Sequence, residues 1–257
     1  MEVILICLAA FFASLLTFFS GFGLGTILMP VFALFFPLEM AIAITGVVHL
    51  LNNFFKLSLV GKEANWRVVL KFGAPAIISA LIGAWLLMSF SANTEWLTYT
   101  LGDKEFSITA IKVIVAFLMF SFALFELIPF FKKLEFAEDK LFIGGIISGF
   151  FGGLSGHQGA LRSAFLIKCG LSKESFIASG VMISSVIDIS RVSVYFTKYT
   201  SIGIEENINL ILAAVLAAFA GALIGKKLLK KITTSFVQIT VAVMIMLMAI
   251  AIGIGIL

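Results

Sequence analysis

The chain has 257 residues, 61% of them hydrophobic and 12% charged, with a formal net charge of +4 and a mean hydropathy of +1.16. Soluble domains run at about 45–50% apolar and about 25% charged, so a water-soluble enzyme, a disordered chain and a disulfide scaffold are excluded. The two cysteines, Cys7 and Cys169, lie in separate apolar runs with no pairing or metal-ligand spacing.

What remains is an all-α polytopic membrane protein. A spanning helix takes about 20 apolar residues. The apolar runs, in order, are 3–36, 40–61, 68–90, 106–131, 141–170, 174–197, 207–225 and 232–257. Met1-Glu2 lacks the basic segment of a signal peptide, so the first run is expected to be retained. Six runs read as ordinary spans. The runs 3–36 and 141–170 are longer and are broken by glycine, in SGFGLGT (Gly21, Gly23, Gly25) and SGFFGGLSGHQGA (Gly149, Gly152, Gly153, Gly156, Gly159). Pro30 and Pro75 lie deep enough to kink helices.

The chain repeats. A shift of 134 residues lays Gly25 on Gly159, Thr45 on Ser179, Gly46 on Gly180 and Val47 on Val181, and ALIGAWLL (80–87) matches ALIGKKLL (222–229) at six of eight positions. Repeats with helices broken at matching points are a transporter architecture. The expected division is 1–133 and 134–257.

Charge placement sets the topology. If all eight runs cross, and Arg162 and Arg191 are set aside, the remaining lysines and arginines fall eight on each side. If 141–170 enters and returns on the same side, thirteen (Lys56, Lys62, Arg67, Lys71, Lys132, Lys133, Lys140, Lys168, Lys173, Lys226, Lys227, Lys230, Lys231) face three (Lys104, Lys112, Lys198). The positive-inside rule selects the second arrangement. By symmetry 3–36 is also a hairpin. The expectation is two inverted repeats, each a re-entrant broken hairpin plus three transmembrane helices, with both termini outside.

A helix break at membrane depth must be buried or line a wet cavity. Half-helices starting near Gly23–Thr26 and Ser155–Gln158 would aim N–H groups and positive dipole ends at an anion. The alternative is that these glycines only permit close packing. Ser155, His157, Gln158 and Arg162 surround the second break, and Asp188 and Arg191 share a helical face one turn apart. A guanidinium grips an oxyanion through paired hydrogen bonds, so Arg162 and Arg191 are candidate substrate ligands and Asp188 their neutralising partner. A purely structural Arg–Asp network is the alternative. His49, Asn52 and Asn53 add polar groups in the first half, serving either as substrate ligands or as interhelical glue. His157 is a candidate proton-coupling group, and Glu126 in FELIP a candidate partner of Lys132 or Lys133. No Walker A, HExxH or Cys/His cluster is present and GFGLG follows no soluble strand, so neither an enzyme nor a cofactor or metal site is expected.

GFGLGTILMPVFALFFPLEMAIAITGVV, and half a chain later GGIISGFFGGLSGHQGALRSAFLIKCGLSKESFIASGVMISSVIDISRVSVYF, resemble the two halves of the sulfite exporter TauE/SafE family of prokaryotic-type and plant permeases. The shared pattern is a glycine-rich stretch, then proline, then a small-residue turn, here Ile44-Thr45-Gly46 and Ala178-Ser179-Gly180. Where family second halves often carry a glycine triplet and a proline, this chain has Gly156-His157-Gln158-Gly159 and Ala164. The resemblance implies an inner-membrane permease for sulfite, thiosulfate, sulfonates or sulfoacetate. The combined expectation is a secondary transporter of small anions working by alternating access, with Gly23 and Gly25 also at the site and H+ or Na+ as the coupling-ion candidates. No nucleic-acid partner is expected. An anion channel and a non-transporting accessory subunit are the alternatives.

Overall fold

The structure is a computed structural model that describes residues 1–20, 23–90, 95–128, 135–197, 205–228 and 234–256. Its helices are α1 Glu2–Ser20, α2 Gly25–Ala33, α3 Leu38–Val60, α4 Trp66–Phe90, α5 Ala110–Leu127, α6 Leu141–Ser155, α7 Gly159–Leu166, α8 Lys173–Phe196, α9 Ile208–Leu228 and α10 Thr234–Gly253. Four segments, Leu38–Glu63, Trp66–Ser89, Lys173–Phe196 and Glu205–Lys227, are long and apolar enough to cross a membrane. Both long runs are broken near the expected points, with Gly23 and Leu24 non-helical ahead of α2 and Gly156–Gln158 between α6 and α7. Gly21 lies outside the described residues. Pro30 and Pro75 sit inside α2 and α4.

One expectation fails at the fourth run. Residues 106–109 are not helical: β1 (Glu95–Leu101) and β2 (Lys104–Thr109) form an antiparallel hairpin, and α5 starts at Ala110, capped by the Thr109 hydroxyl accepting from the Lys112 N–H. The alternation Phe106-Ser107-Ile108-Thr109 suits a strand, and Gly102, at φ 64°, supplies the positive φ of a two-residue turn. Hydropathy summed along the run hides that alternation.

The second broken run folds back on itself. The Phe136 N–H donates to the Ala164 carbonyl at 3.1 Å, the Phe136 and Phe165 rings stack 4.2 Å apart, and Lys168 pairs with Glu135 at 3.4 Å. The chain thus leaves α7 beside the point where it entered α6. Gly156 makes the reversal possible, closing α6 at φ +80° with its N–H on the Gly152 carbonyl at 3.0 Å. The two breaks meet inside the protein: a Cβ on Gly25 would lie 3.9 Å from the Gly156 carbonyl oxygen.

Two backbone-to-backbone seams hold the bundle. Gly145, Gly149 and Gly153 place one stripe of α6 directly on Phe72, Ala76 and Ala80 of α4, and Gly83 of α4 answers on Phe150. Gly221 and Gly225 of α9 rest in the same way on Phe11, Leu15 and Phe18 of α1. Small residues every fourth position let helices approach this closely in lipid. For these glycines packing is the observed role. A Cβ at Gly153 would strike the Ala80 carbonyl, so Gly153→Ala should lower the melting temperature in detergent, at a cost of about 1–3 kcal/mol. Gly73→Ala in α4, where a Cβ meets nothing within 4 Å, should be neutral or stabilise by up to about 1 kcal/mol. Equal melting shifts for the two variants would contradict the seam.

Charges gather by end. At one end Arg67 and Lys71 reach Glu138 at 3.2 and 3.1 Å, and Lys226 donates to the Leu59 carbonyl at 2.9 Å. At the other end the Tyr99 hydroxyl of the hairpin donates to the Ile254 carbonyl near the end of the chain. Lys132, Lys133, Lys198, Lys230 and Lys231 lie outside the described residues. The largest apolar cluster joins α1, α2, α3, α5, α9 and α10, and a second joins α4, α7 and α8.

Candidate functional site

The site forms where α3 and α8 pack together and the tip of the α6–α7 hairpin meets them. On α3, His49, Asn53 and Lys56 are spaced four and three apart. On α8, Ser184, Asp188, Arg191 and Tyr195 follow the same rhythm. That spacing stacks each set along one helical face, and both faces are turned inward: all seven side chains are buried.

Asp188, 0% exposed, is the anchor. Its Oδ1 accepts from Arg191 Nε at 2.8 Å. Its Oδ2 accepts from Asn53 Nδ2 at 2.9 Å and meets His49 Nδ1 at 2.6 Å. Arg191, 1% exposed, is accommodated by two glycines. A Cβ at Gly46 would come 3.4 Å from its Cζ, and one at Gly156 would come 2.8 Å from its Nη1. The hydroxyl of Tyr195 donates to the Gly153 carbonyl at 2.6 Å, tying α8 to the hairpin.

Arg162, 4% exposed, donates through Nη1 to the Ser184 hydroxyl. Its Nε lies where a Cβ at Gly180 would come within 3.4 Å. Gly46 and Gly180, related by the 134-residue shift, therefore each make room for a guanidinium. The small-residue triplets Ile44–Gly46 and Ala178–Gly180 are not turns, as expected from the sequence, but lie inside α3 and α8.

A cleft of about 460 Å³, mouth included, lies against this assembly, with Thr17, His49, Asn53, Lys56, Arg162 and Ser184 as its polar lining and Phe18, Leu166 and Phe176 among its apolar walls. The Lys56 ammonium stands 5.5 Å from the centroid of the Phe18 ring. Lys56, 4% exposed, was counted from sequence as a loop cation. Its place seven residues after His49 and three after Asn53 was the available signal that it shares their face. Thr17 and Ser184 were also missed, as hydroxyls in apolar runs carry little signal alone.

The other expected residues are distributed around this centre. Gly23 abuts His49: a Cβ there would come 2.9 Å from Nε2. Gly25 packs on Thr45. Asn52 accepts from the Ser14 hydroxyl at 3.1 Å, linking α3 to α1 and serving as glue. The Ser155 hydroxyl bonds back to the Phe151 carbonyl at 3.1 Å. His157 turns away from the cleft, with its Nδ1 3.0 Å from the Ser155 carbonyl, and lines a separate small cavity with Thr26 and Phe122. The Gln158 side-chain amide is buried with neither polar atom partnered among the described residues. The first tip offers fewer free donors than expected, since the Thr26 and Ile27 N–H groups bond to the Gly23 and Leu24 carbonyls at 3.2 Å each. The Glu126 side chain lies outside the described residues. Among the described residues no three His, Cys, Asp or Glu side chains gather into a metal-binding group.

Among the described residues the buried side chains with a formal charge are Asp188 on one side and Lys56, Arg162 and Arg191 on the other, counting histidine as uncharged. The sum is two positive charges. Isolated buried ions cost several kcal/mol each, and negative charge entering the cleft would offset this excess.

The family model for the sulfite exporter TauE/SafE family matches residues 6–252. No curated protein matches the chain. With nearly the whole sequence covered and apolar helices long enough to span a bilayer, the chain belongs to the sulfite exporter TauE/SafE family and is a multi-pass membrane protein of a transporter family.

Proposed function

We propose that this protein is a secondary transporter of small anions, of the sulfur-oxyanion or organosulfonate class, which bind in the cleft between α3, α7 and α8. The observation that carries this reading is the excess of two positive charges beside the cleft, with Lys56 and Arg162 lining it. A buried cation pair is stabilised by a guest that is both anionic and rich in acceptors. Arg191 is held by Asp188 and acts behind the cleft rather than in it.

The same reading divides the chain into inverted repeats, 1–133 and 134–257. Support comes from the seams. The α4–α6 pair starts at the lysine-rich end, where Arg67 meets Glu138. The equivalent pair, α9 and α1, runs parallel in the opposite direction and finishes there, with Lys226 on Leu59. The lysine-rich end is the cytoplasmic one under the positive-inside rule, which puts both termini outside, in the inner membrane of a prokaryote. The cleft lies toward that end. On its far side lies the buried His49–Asp188–Arg191 layer, which in this reading would act as the closed gate of an alternating-access cycle.

Counterflow in proteoliposomes tests the reading. Labelled sulfite or thiosulfate should enter faster when the vesicles are preloaded with the unlabelled anion, and uptake should saturate. Uptake that stays linear in concentration and gains nothing from preloading would identify a channel. Absence of uptake for sulfite, thiosulfate and a sulfonate alike would remove the transport assignment.

A further inference from the structure

We infer that His49 is the proton carrier of this site, and that an anion binds in the cleft together with one proton on the Nε2 of His49. The inference deepens the transport reading above and rests on it.

The argument starts from the Asp188 carboxylate. It takes Arg191 Nε on one oxygen and Asn53 Nδ2 on the other. Both are pure donors, so Asp188 is an ionised acceptor. His49 Nδ1, 2.6 Å from the same Oδ2, is assigned the tautomer that carries a hydrogen there and donates it to the carboxylate. In a neutral imidazole the other nitrogen is an acceptor. His49 lines the cleft and Asp188 does not. With Nδ1 turned to Asp188, the edge left toward the cleft is the one beside Gly23, where a Cβ would come 2.9 Å from Nε2. The empty site thus presents a lone pair to the space that an oxyanion would occupy.

Two acceptors cannot bond. A proton on Nε2 converts that lone pair into a charge-assisted donor. The product is an imidazolium that donates through Nδ1 to Asp188 and through Nε2 to the anion. The N–H bond is the only covalent bond formed, and the proton is taken up from the bulk solvent and its buffer.

The neighbours make the two events interdependent. The charged groups around His49 are Lys56 on its own helix, Asp188 and Arg191 on α8, and Arg162 on α7. Gly23, from the break between α1 and α2, brings no charge. Three cations repel a further proton while the cleft is empty, and a bound dianion offsets that repulsion. Proton and anion therefore load from the same side as a pair, which makes the transporter a proton–anion symporter. His157, the coupling candidate considered from sequence, lines a different cavity and has no part in the pair.

The test is calorimetric titration of thiosulfate, whose charge does not change near neutral pH, into the purified full-length protein in two buffers of different ionisation enthalpy. The expected result is uptake of about one proton per thiosulfate bound, with affinity falling about tenfold per pH unit on the alkaline side of the profile. His157→Gln should retain the proton uptake. His49→Gln should bind thiosulfate more weakly and without a pH slope. Thiosulfate binding with no proton taken up by the wild type overturns the coupling while leaving the transport reading standing. Proton uptake that vanishes in His157→Gln, or persists in His49→Gln, overturns the assignment to His49. Absence of thiosulfate binding removes both readings.

Discussion

Arg162→Ala should abolish anion transport while leaving a folded protein. The variant removes one of the two cations lining the cleft, and truncating a buried charged group that faces an opposite charge costs about 2–5 kcal/mol of binding. A loss near 3 kcal/mol is about a hundredfold in affinity. Initial uptake of labelled thiosulfate at a subsaturating concentration should fall by at least about that factor. Arg162→Lys keeps the charge but loses the planar fork and should retain part of the activity. The repulsion from Lys56 is relieved while the Ser184 hydrogen bond and the attraction of Asp188 are lost, so the empty variant should melt within a few degrees of wild type. The stabilisation given by thiosulfate should disappear. Wild-type uptake in Arg162→Ala would take the anion out of this cleft.

Asp188→Ala should produce the opposite signature, a protein that is damaged before it meets any substrate. The carboxylate receives Arg191, Asn53 and His49, so its loss removes the shared acceptor of three buried polar groups and raises the charge excess among the described residues from two to three. Breaking a buried ion pair from one side costs about 3–5 kcal/mol. For a chain of this size that is roughly a 10 °C fall in apparent melting temperature. Asp188→Asn keeps the shape and one acceptor and should fall between alanine and wild type. A melting temperature within a degree or two of wild type in Asp188→Ala would mean that the network contributes nothing to the fold.

These two residues also mark what was legible in the sequence. Composition excluded a soluble fold, and glycine density located both breaks. The count of lysines by side led to a re-entrant reading of 141–170, with which the fold-back at the Phe136–Ala164 hydrogen bond agrees. Asp188 and Arg191 could be paired because they sit three apart on one helix. The partnership of Asp188 with His49 and Asn53 crosses 139 and 135 residues, and no local pattern encodes it. Lys56 was misread for a different reason: a lysine near the end of an apolar run is indistinguishable by hydropathy from one that snorkels to the interface. Only its helical phase with His49 and Asn53 marks it as inward. The β1–β2 hairpin was lost because period-two alternation was submerged in a run judged by mean hydropathy alone.

The glycine seams dictate what can move. Where Gly145, Gly149 and Gly153 seat α6 on the main chain of α4, and Gly221 and Gly225 seat α9 on that of α1, sliding by even one residue would drive a side chain into a carbonyl. Each seam therefore travels as a single stiff plank, and each plank is made of one helix from either side of residue 133. Under the division at residue 133 proposed above, each plank joins one repeat to the other, so a rocking motion of either plank would carry both.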